Sequence, residues 1–392
     1  MATGLETIRD LIDRSTRAHR QIHSINLEPG RTKELFNRFS ITEVSAMVGR
    51  TPQAIRRAEN QGDLESPRRD EKGRREGYTL TQVNKIRDHF GTRKRRSPEE
   101  KPAIVAVQNF KGGVAKSTLA VHLAQYLALQ GYRVLIVDCD PQASTTRTFG
   151  YLPDEQLAES DTLLPYLRQE GDLVTAIRPT YWEGLDLIPA NLRLYQAEYE
   201  LASDIYQQGG YVLHLLKRGL AEVEDKYDVI VLDPPPALGF IALNVMFASN
   251  SLLIPAPPTM YDFTSTISFL NMLNDNLASI ERHMGASVDY QFVRIVISRY
   301  RGQLTAQSAM AELMQNVFGH YLLPTRFKES SEIQSASNQD KTVYELTEPT
   351  TSAKRTYLRA TAMLEAVMRD IELQIRMTWP SHRKQLQAEG RL

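Results

Sequence analysis

The chain has 392 residues, 42% of them hydrophobic and 24% charged, an ordinary composition for a globular protein with more than one structural unit. Lysine and arginine together number 47, as do aspartate and glutamate, so the overall charge points to no partner and only local charge can do so. The single cysteine, Cys139, excludes an intramolecular disulfide and a four-thiolate zinc or iron–sulfur site, and it suits a reducing cytoplasm.

Residues 1–37 are predicted to form a helical arm. Leu5, Ile8, Leu11 and Ile12 follow the three-and-four spacing of an amphipathic helix. The first thirty residues are rich in charge and contain no apolar stretch, so we expect no signal peptide. The arm either pairs with a second subunit or lies on the surface of its own chain, and the sequence leaves both open.

Residues 38–96 are predicted to form a small winged helix-turn-helix domain. Ser40 or Thr42 can cap a short helix that ends at Gly49, and Thr51 with Pro52 starts a second helix. A turn-rich basic stretch over residues 62–78 suits a β-wing, and a further helix over 79–90 closes the domain. Residues 97–102 are predicted to be a charged linker.

The charge of this region favours DNA as its partner. Residues 65–96 contain eleven basic side chains against five acidic ones, an excess of six on a chain that is neutral overall. Such an excess suits phosphate contacts, and a helix-turn-helix suits reading of the major groove. Residues 41–78 resemble a MerR-type winged helix; the alternative is a solvated face of a protein–protein adaptor. The predicted DNA contacts are Gln53, Arg56, Arg57, Arg68, Arg69, Arg74 and Arg75.

From residue 103 onward, short apolar runs alternate with longer helical patterns. This rhythm predicts an α/β domain over 103–392, with a mostly parallel sheet and helices on both faces. The predicted strands are 104–107, 134–137, 185–188, 229–232, 251–255 and 293–297.

A glycine-rich segment follows the first of these strands and opens a helix. Glycines let the backbone approach a phosphate, and a helix N-terminus directs free N–H groups towards it. Lys116 can reach the β- and γ-phosphates of a nucleotide, and the Ser117 hydroxyl can bind Mg²⁺. Phe110 and Ala115 stand where the strict phosphate-loop pattern has glycines. The predicted nucleotide contacts of the loop are Lys111, Gly112, Gly113, Val114, Ala115, Lys116, Ser117 and Thr118.

Carboxylates follow two other predicted strands. Asp138 and Asp140 come at the end of the second strand, and Asp233 ends the fourth. Ligands bind at the carboxyl ends of parallel strands, so all three are expected near the loop. An aspartate pair that merely caps the next helix is the alternative for Asp138 and Asp140.

These three motifs resemble the deviant Walker A ATPases of the ParA/MinD family. The resemblance implies that Lys111 reaches the nucleotide of a partner subunit, and that Lys116 and Asp140 are catalytic, with Asp140 positioning the attacking water. It places Asp138 and Asp233 with Ser117 at Mg²⁺, and Pro257, Pro258 and Arg299 around the adenine. Most members have glycine at the position of Ala115, for which we expect an ordinary negative φ.

The implied function is that of a plasmid or chromosome partition ATPase. Its ATP-bound homodimer would bind nonspecific DNA through C-terminal basic residues, here Lys354, Arg355 and Arg359. A ParB-like centromere-binding protein would stimulate hydrolysis, and the N-terminal domain would bind an operator and repress the protein's own operon. We expect a cytoplasmic, nucleoid-associated protein that does not bind membranes, since the tail after Pro380 is polar. A nucleotide-regulated repressor and a MinD-like positioning ATPase are the alternatives.

Overall fold

The parallel sheet predicted from the apolar runs is the frame of the molecule. The computed structural model describes residues 3–26, 33–35, 37–284, 287–346 and 354–391. Within them the sheet has seven strands in the order β3-β4-β2-β5-β1-β6-β7, and all pair in parallel except β3, which is antiparallel to β4. The strands are β1 Ala103–Val107, β2 Val134–Asp138, β3 Arg178–Pro179, β4 Leu185–Ile188, β5 Val229–Asp233, β6 Ser251–Ala256 and β7 Phe292–Ile297.

Helices cover both faces of this sheet, as predicted. The helices are α1 Gly4–Asn26, α2 Ile41–Val48, α3 Pro52–Gln61, α4 Leu80–His89, α5 Lys116–Gln130, α6 Ser144–Thr148, α7 Pro153–Gln156, α8 Leu164–Leu167, α9 Tyr195–Gln208, α10 Leu215–Ala221, α11 Phe240–Ala248, α12 Met260–Met284, α13 Thr305–Phe318, α14 Ser331–Ser337, α15 Lys354–Thr378 and α16 Pro380–Ala388. None of the described helices is both long and apolar enough to cross a membrane.

Alternation along the strands divides the core into two layers. Ile104 and Ala106 of β1 pack with α11 and α12, whereas Val105 and Val107 pack with α5 and α15 on the other face. Every residue of β1, β2 and β5 is buried, which explains why these strands read as continuous apolar runs.

The strand order brings the three predicted motifs to one edge. β5 lies between β1 and β2, and Asp138 at the end of β2 is in register with Asp233 at the end of β5. The glycine-rich loop leaves β1 at the same edge, because parallel strands end on one side of their sheet.

The N-terminal unit has its own small core, formed by α2, α3 and α4. Ser40 caps α2 in a reciprocal capping box with Glu43, and Thr51 caps α3 ahead of Pro52. The turn between the two helices contains Gly49 in the left-handed conformation. A narrow antiparallel bridge joins Arg69 to Arg75 in the predicted wing.

Much of the basic stretch that ends this unit contacts the α/β domain. The guanidinium of Arg87 donates to the carbonyl of Leu129, and that of Arg93 donates to the carbonyl of Gly131. Lys94 forms an ion pair with the buried Glu372 at 2.6 Å. Arg96 is also buried and donates to the carbonyl groups of Tyr227 and Glu224. Four of the eleven basic residues counted in the sequence are therefore structural.

A second anchor precedes the N-terminal unit. The Lys33 ammonium is almost fully buried, where it pairs with Glu345 at 2.8 Å and donates to the carbonyls of Thr148 and Asp340. Burial lowers the pKa of Lys33, and the neighbouring Glu345 carboxylate partly opposes that shift. Asn37 donates to the carbonyl of Tyr344. Lys33 and Asn37 thus attach the start of the N-terminal unit to the α/β domain.

The two ends of the chain differ in how their helices are covered. α1 exposes more than half of Leu5, Ile8, Leu11 and Ile12, in agreement with the amphipathic spacing. α15 instead buries an apolar face against α5, and it continues into α16 after Trp379. The predicted arm residues 1–2, 27–32 and 36 lie outside the described residues.

Candidate nucleotide site

The glycine-rich loop turns from β1 into α5, whose first residue is Lys116. Gly113 has φ of +74° and Ala115, the residue before the helix, has φ of +75° and ψ of +30°. The expectation of a negative φ for Ala115 is wrong, because this turn needs the left-handed conformation at both positions. An L-residue pays about 1–2 kcal/mol for that conformation, which glycine avoids.

Side chains from neighbouring strands brace the loop. The Ser298 hydroxyl donates to the carbonyl of Val114 at 2.8 Å, and the Arg299 guanidinium donates to the carbonyl of Gly113 at 2.9 Å. At the other end, the Asn109 carboxamide accepts the amide of Lys111 and donates to the carbonyl of Pro255. Sequence reasoning did not assign a role to Asn109, although a polar residue at the buried end of β1 was a usable signal.

Lys116 lies among the strand-end carboxylates. Its side chain is buried. Its ammonium donates to the carbonyl of Lys111 at 3.2 Å, a contact that joins the two ends of the loop. Burial lowers the pKa of Lys116, while Asp233 and Asp140 raise it. A nucleotide phosphate would add to the negative charge that keeps this ammonium protonated.

Asp233 has the environment expected of a Mg²⁺ residue. Its Oδ2 accepts a hydrogen bond from the Thr145 hydroxyl at 2.7 Å, while its buried Oδ1 has no hydrogen-bond partner among the described residues. Burial raises the pKa of Asp233, while the nearby hydroxyls of Thr145 and Ser117 and the Lys116 ammonium lower it. Mg²⁺ typically takes one or two protein oxygens together with nucleotide phosphates and waters. The unpaired Oδ1 of Asp233 and the Ser117 hydroxyl, which lies close to this carboxylate, fit that requirement, although no group of three or more His, Cys, Asp or Glu suitable for a metal occurs among the described residues.

Asp138 is bound differently from Asp233. Its Oδ2 accepts from the amide and the hydroxyl of Thr146, at 2.8 and 2.6 Å, and its Oδ1 accepts from the amide of Asp140. These bonds fix the turn between β2 and α6. They favour the helix-capping alternative for Asp138 over the predicted place at Mg²⁺. Asp140 keeps its Oδ2 unengaged within the described residues, since only Oδ1 accepts, from the amide of Gln142.

Lys111 points away from the loop that it begins. Its ammonium forms an ion pair with Asp262 at 2.6 Å, close to the start of α12, where Asp262 also accepts a hydrogen bond from the Thr259 hydroxyl. The Lys111 side chain is 37% exposed. Within one chain this lysine therefore has a partner of its own.

A cavity of about 320 Å³ lies beside the loop. Gly113, Ala115 and Thr118 form one wall, and Arg299 and Phe327 form another. Such a cavity next to a phosphate loop has room for a nucleoside. Arg299 lines this cavity, and its contact with the adenine stays a prediction. Pro257 and Pro258 are buried between β6 and α12 and are not among the described residues that line the cavity, so their place around the adenine also stays a prediction.

The predicted DNA residues fall into two groups. Gln53, Arg56 and Arg57 are exposed on one side of α3, and Ile55 and Ala58 are buried on the other. Four further predicted residues are also exposed: Arg68, Lys354, Arg355 and Arg359. Arg359 lines a second cavity of about 640 Å³.

Three arginines of the predicted wing are engaged within the unit instead. Arg75 pairs with the buried Glu59 at 2.8 Å and donates to the Tyr78 hydroxyl. Arg74 pairs with Asp70, and Arg69 donates to the carbonyl of Gly73. Arg75 is therefore better explained as a core residue than as a DNA contact.

Comparison with known proteins agrees with this geometry. A family model described as an AAA domain matches residues 102–284. SopA of Escherichia coli strain K12 is 36% identical over 359 residues, which cover 89% of this chain and 91% of SopA. A ParA family protein of Chlamydia trachomatis serovar D is 32% identical over 272 residues, 68% of this chain and 99% of that protein. The solved structure of a partition protein, 22% identical, aligns with 95% of this chain and 99% of its own at a TM-score of 0.67, and so has the same fold.

Proposed function

This chain belongs to the ParA family of partition ATPases, and from that premise we propose that it segregates a plasmid or a chromosome as an ATP-bound dimer on DNA. The observation that carries the proposal is the loop from Lys111 to Thr118, whose Lys116 and Ser117 lie close to the buried Asp233 carboxylate with its unpaired Oδ1. The chain is an ATPase that uses ATP and Mg²⁺. Lys116, the loop amides and Mg²⁺ would offset the charge that develops on the γ-phosphate, and Asp140 would orient the attacking water.

The proposed dimer completes the site. Lys111 would leave Asp262 and reach the nucleotide of the second subunit, so that ATP binding and dimerisation are coupled. The ion pair with Asp262 is partly exposed and its exchange for a phosphate contact would cost little, because such pairs contribute about 0–1 kcal/mol. A second contact between subunits would be α1, whose exposed apolar face has the spacing of a helix-pairing surface.

The N-terminal unit would bind an operator and repress the protein's own operon. α3 would enter the major groove, with Gln53, Arg56 and Arg57 at the bases and Arg68 at the phosphates. Support comes from the exposure of these side chains, none of which has a hydrogen bond or ion pair to another described residue.

Nonspecific DNA would be bound by the ATP-bound dimer through the start of α15. Lys354, Arg355 and Arg359 are exposed there, and cations of this kind neutralise phosphates without reading sequence. This binding would associate the protein with the nucleoid. A ParB-like protein bound at the centromere would stimulate hydrolysis and release the dimer.

One experiment tests the core of the proposal. ATP hydrolysis and retention of nonspecific DNA are measured with ATP, with ADP and without nucleotide, for the wild type and Lys116→Ala. We expect the wild type to retain DNA only in the presence of ATP, and we expect Lys116→Ala to retain none under any of the three conditions. A wild type that retains DNA equally under all three conditions contradicts the partition mechanism.

A second experiment separates the two DNA surfaces. Arg56→Ala with Arg57→Ala should abolish operator binding while leaving ATP-dependent nonspecific binding unchanged. Lys217→Ala with Lys226→Ala removes two exposed charges from the ATPase domain and serves as the matched control. Equal loss of both kinds of binding in the arginine variant would contradict the proposal of two surfaces.

A further inference from the structure

Thr145 joins the helix after β2 to the carboxylate that ends β5. It is fully buried, and its hydroxyl donates to Asp233 Oδ2 at 2.7 Å. No role for this threonine could be predicted from the sequence, since it is one of several hydroxyl residues in α6. Its contact crosses 88 residues of chain, so it is not part of a local turn.

The two oxygens of Asp233 therefore have different surroundings. Oδ2 has the Thr145 hydroxyl, whereas the equally buried Oδ1 has no hydrogen-bond partner among the described residues. The carboxylate of an aspartate can rotate about its Cβ–Cγ bond. The hydrogen bond from Thr145 holds Oδ2, so that Oδ1 is the oxygen left available to a ligand. Buried polar atoms in native structures are almost always paired, so an unpaired one indicates a missing ligand or water.

The contact is not needed to hold α6 in place. Asp138 already accepts from the amide and the hydroxyl of Thr146, and these two bonds fix the first turn of the helix. Thr146 also accepts a hydrogen bond from the amide of Ala190, which ties the helix to the chain after β4. The hydroxyl of Thr145 is thus left for Asp233 alone among the described residues.

We propose that Thr145 is a positioning residue for Mg²⁺, whose hydroxyl orients Asp233 so that Oδ1 faces the metal. Groups that bond to metal ligands in this way restrict the orientation of the ligand, and their loss typically reduces metal affinity by about 10–100-fold. Thr145 lies five residues after Asp140 in the same short segment. A movement of that segment would therefore change the positions of Asp140 and the Asp233 carboxylate together. The inference rests on the nucleotide site with Mg²⁺ at Ser117 and Asp233.

The test measures nucleotide binding rather than turnover. A fluorescent ADP analogue is titrated into the full chain in EDTA and at increasing Mg²⁺, for the wild type and Thr145→Val, which has nearly the same shape but no hydroxyl. We expect the Mg²⁺ concentration for half-maximal effect to rise about 10–100-fold in Thr145→Val. Affinity in EDTA should stay within about twofold of the wild type, because the loop amides and Lys116 are unchanged.

Conservative variants separate a positioning role from a packing role. Thr145→Ser retains the donor and should restore the Mg²⁺ dependence of the wild type, and Thr145→Cys, whose thiol is a weak donor, should give an intermediate value. Thr266→Val removes a buried hydroxyl that donates to the carbonyl of Asp262 within α12, and it should bind Mg²⁺ as the wild type does. If Thr145→Val does not fold, the order of Ser, Cys and wild type still decides the question.

The outcomes are distinct. A Thr145→Val protein that responds to Mg²⁺ at wild-type concentrations overturns the proposal, as does a Thr145→Ser protein that is no better than Thr145→Val. A wild type whose nucleotide binding is independent of Mg²⁺ would instead contradict the metal site itself.

Discussion

Replacing Ala115 with glycine should make the protein more stable, although it removes a methyl group from a helix start. Ala115 has φ of +75°, where an L-residue is disfavoured by about 1–2 kcal/mol. Glycine removes this strain but adds about 0.4–1 kcal/mol of conformational freedom to the unfolded chain. The balance is a gain of about 0.5–1 kcal/mol in the free energy of unfolding, or about 1–3 °C in melting temperature for a domain of this size.

Thermal unfolding without nucleotide and with Mg²⁺ and ADP provides the assay. Ala124→Gly is the matched control, since it removes the same methyl group from the buried middle of α5, where φ is helical. That variant should lose about 1–2 kcal/mol through helix propensity and the lost burial. The two substitutions thus have opposite expected signs. If Ala115→Gly lowers the melting temperature as Ala124→Gly does, the strain assigned to the loop is not there.

Three other substitutions test titratable side chains that have specific surroundings in the fold. The pKa of His122 is lowered to about 4, mainly by burial, so the unfolded chain takes up its proton first as the pH falls from about 6.5. The free energy of unfolding should be highest above pH 6.5 and should fall by about 3 kcal/mol towards pH 4. His122→Leu should remove this pH dependence, which melting curves recorded across the range would measure. Glu198→Gln should lower the free energy of unfolding by about 1 kcal/mol, because Glu198 accepts hydrogen bonds from the amides of Phe240 and Ile241 at the start of α11. Urea unfolding measures this loss, and an unchanged midpoint would contradict the prediction. Lys33→Met should lower the free energy of unfolding by about 3–5 kcal/mol, because it leaves the buried Glu345 carboxylate without its ion-pair partner. Adding Glu345→Gln should recover part of that loss, and additive losses from the two substitutions would refute this explanation.

The sheet and the position of the site could be predicted from the sequence because burial on both faces makes a strand uniformly apolar. The predicted 134–137 and 229–232 became β2 and β5, each extended only by its terminal aspartate. β3 was not predicted, since it has two residues and one is Pro179, which carries no strand signal. The rule that parallel strands end at one edge of a sheet predicted that Asp138 and Asp233 lie near the loop, whereas the order of the strands and the register of these two residues were not predicted.

What the sequence could not provide depends on contacts between distant segments. A count of charges over residues 65–96 did not distinguish Arg68, which is exposed, from Arg96, which is buried and donates to carbonyl groups of residues more than 120 positions away. The left-handed conformation of Ala115 occurs in a loop whose two preceding carbonyls accept hydrogen bonds from Ser298 and Arg299, residues more than 180 positions away. Thr145 had no signal because a hydroxyl acquires a role only from the atom it faces.

The unit that bears α3 is fastened on both sides, by Lys33 and Asn37 before it and by residues 87–96 after it. A flexible tether would let one unit search space around the other, and its reach would set the effective concentration for a second binding event. Because this unit is attached at both ends, its angle to the α/β domain is fixed. Two duplexes, or two stretches of one duplex, could then be bound only in arrangements that match this angle. If the proposed operator and nonspecific surfaces both bind DNA, this rigid attachment would restrict the spacing between an operator and the neighbouring DNA that one protein can hold.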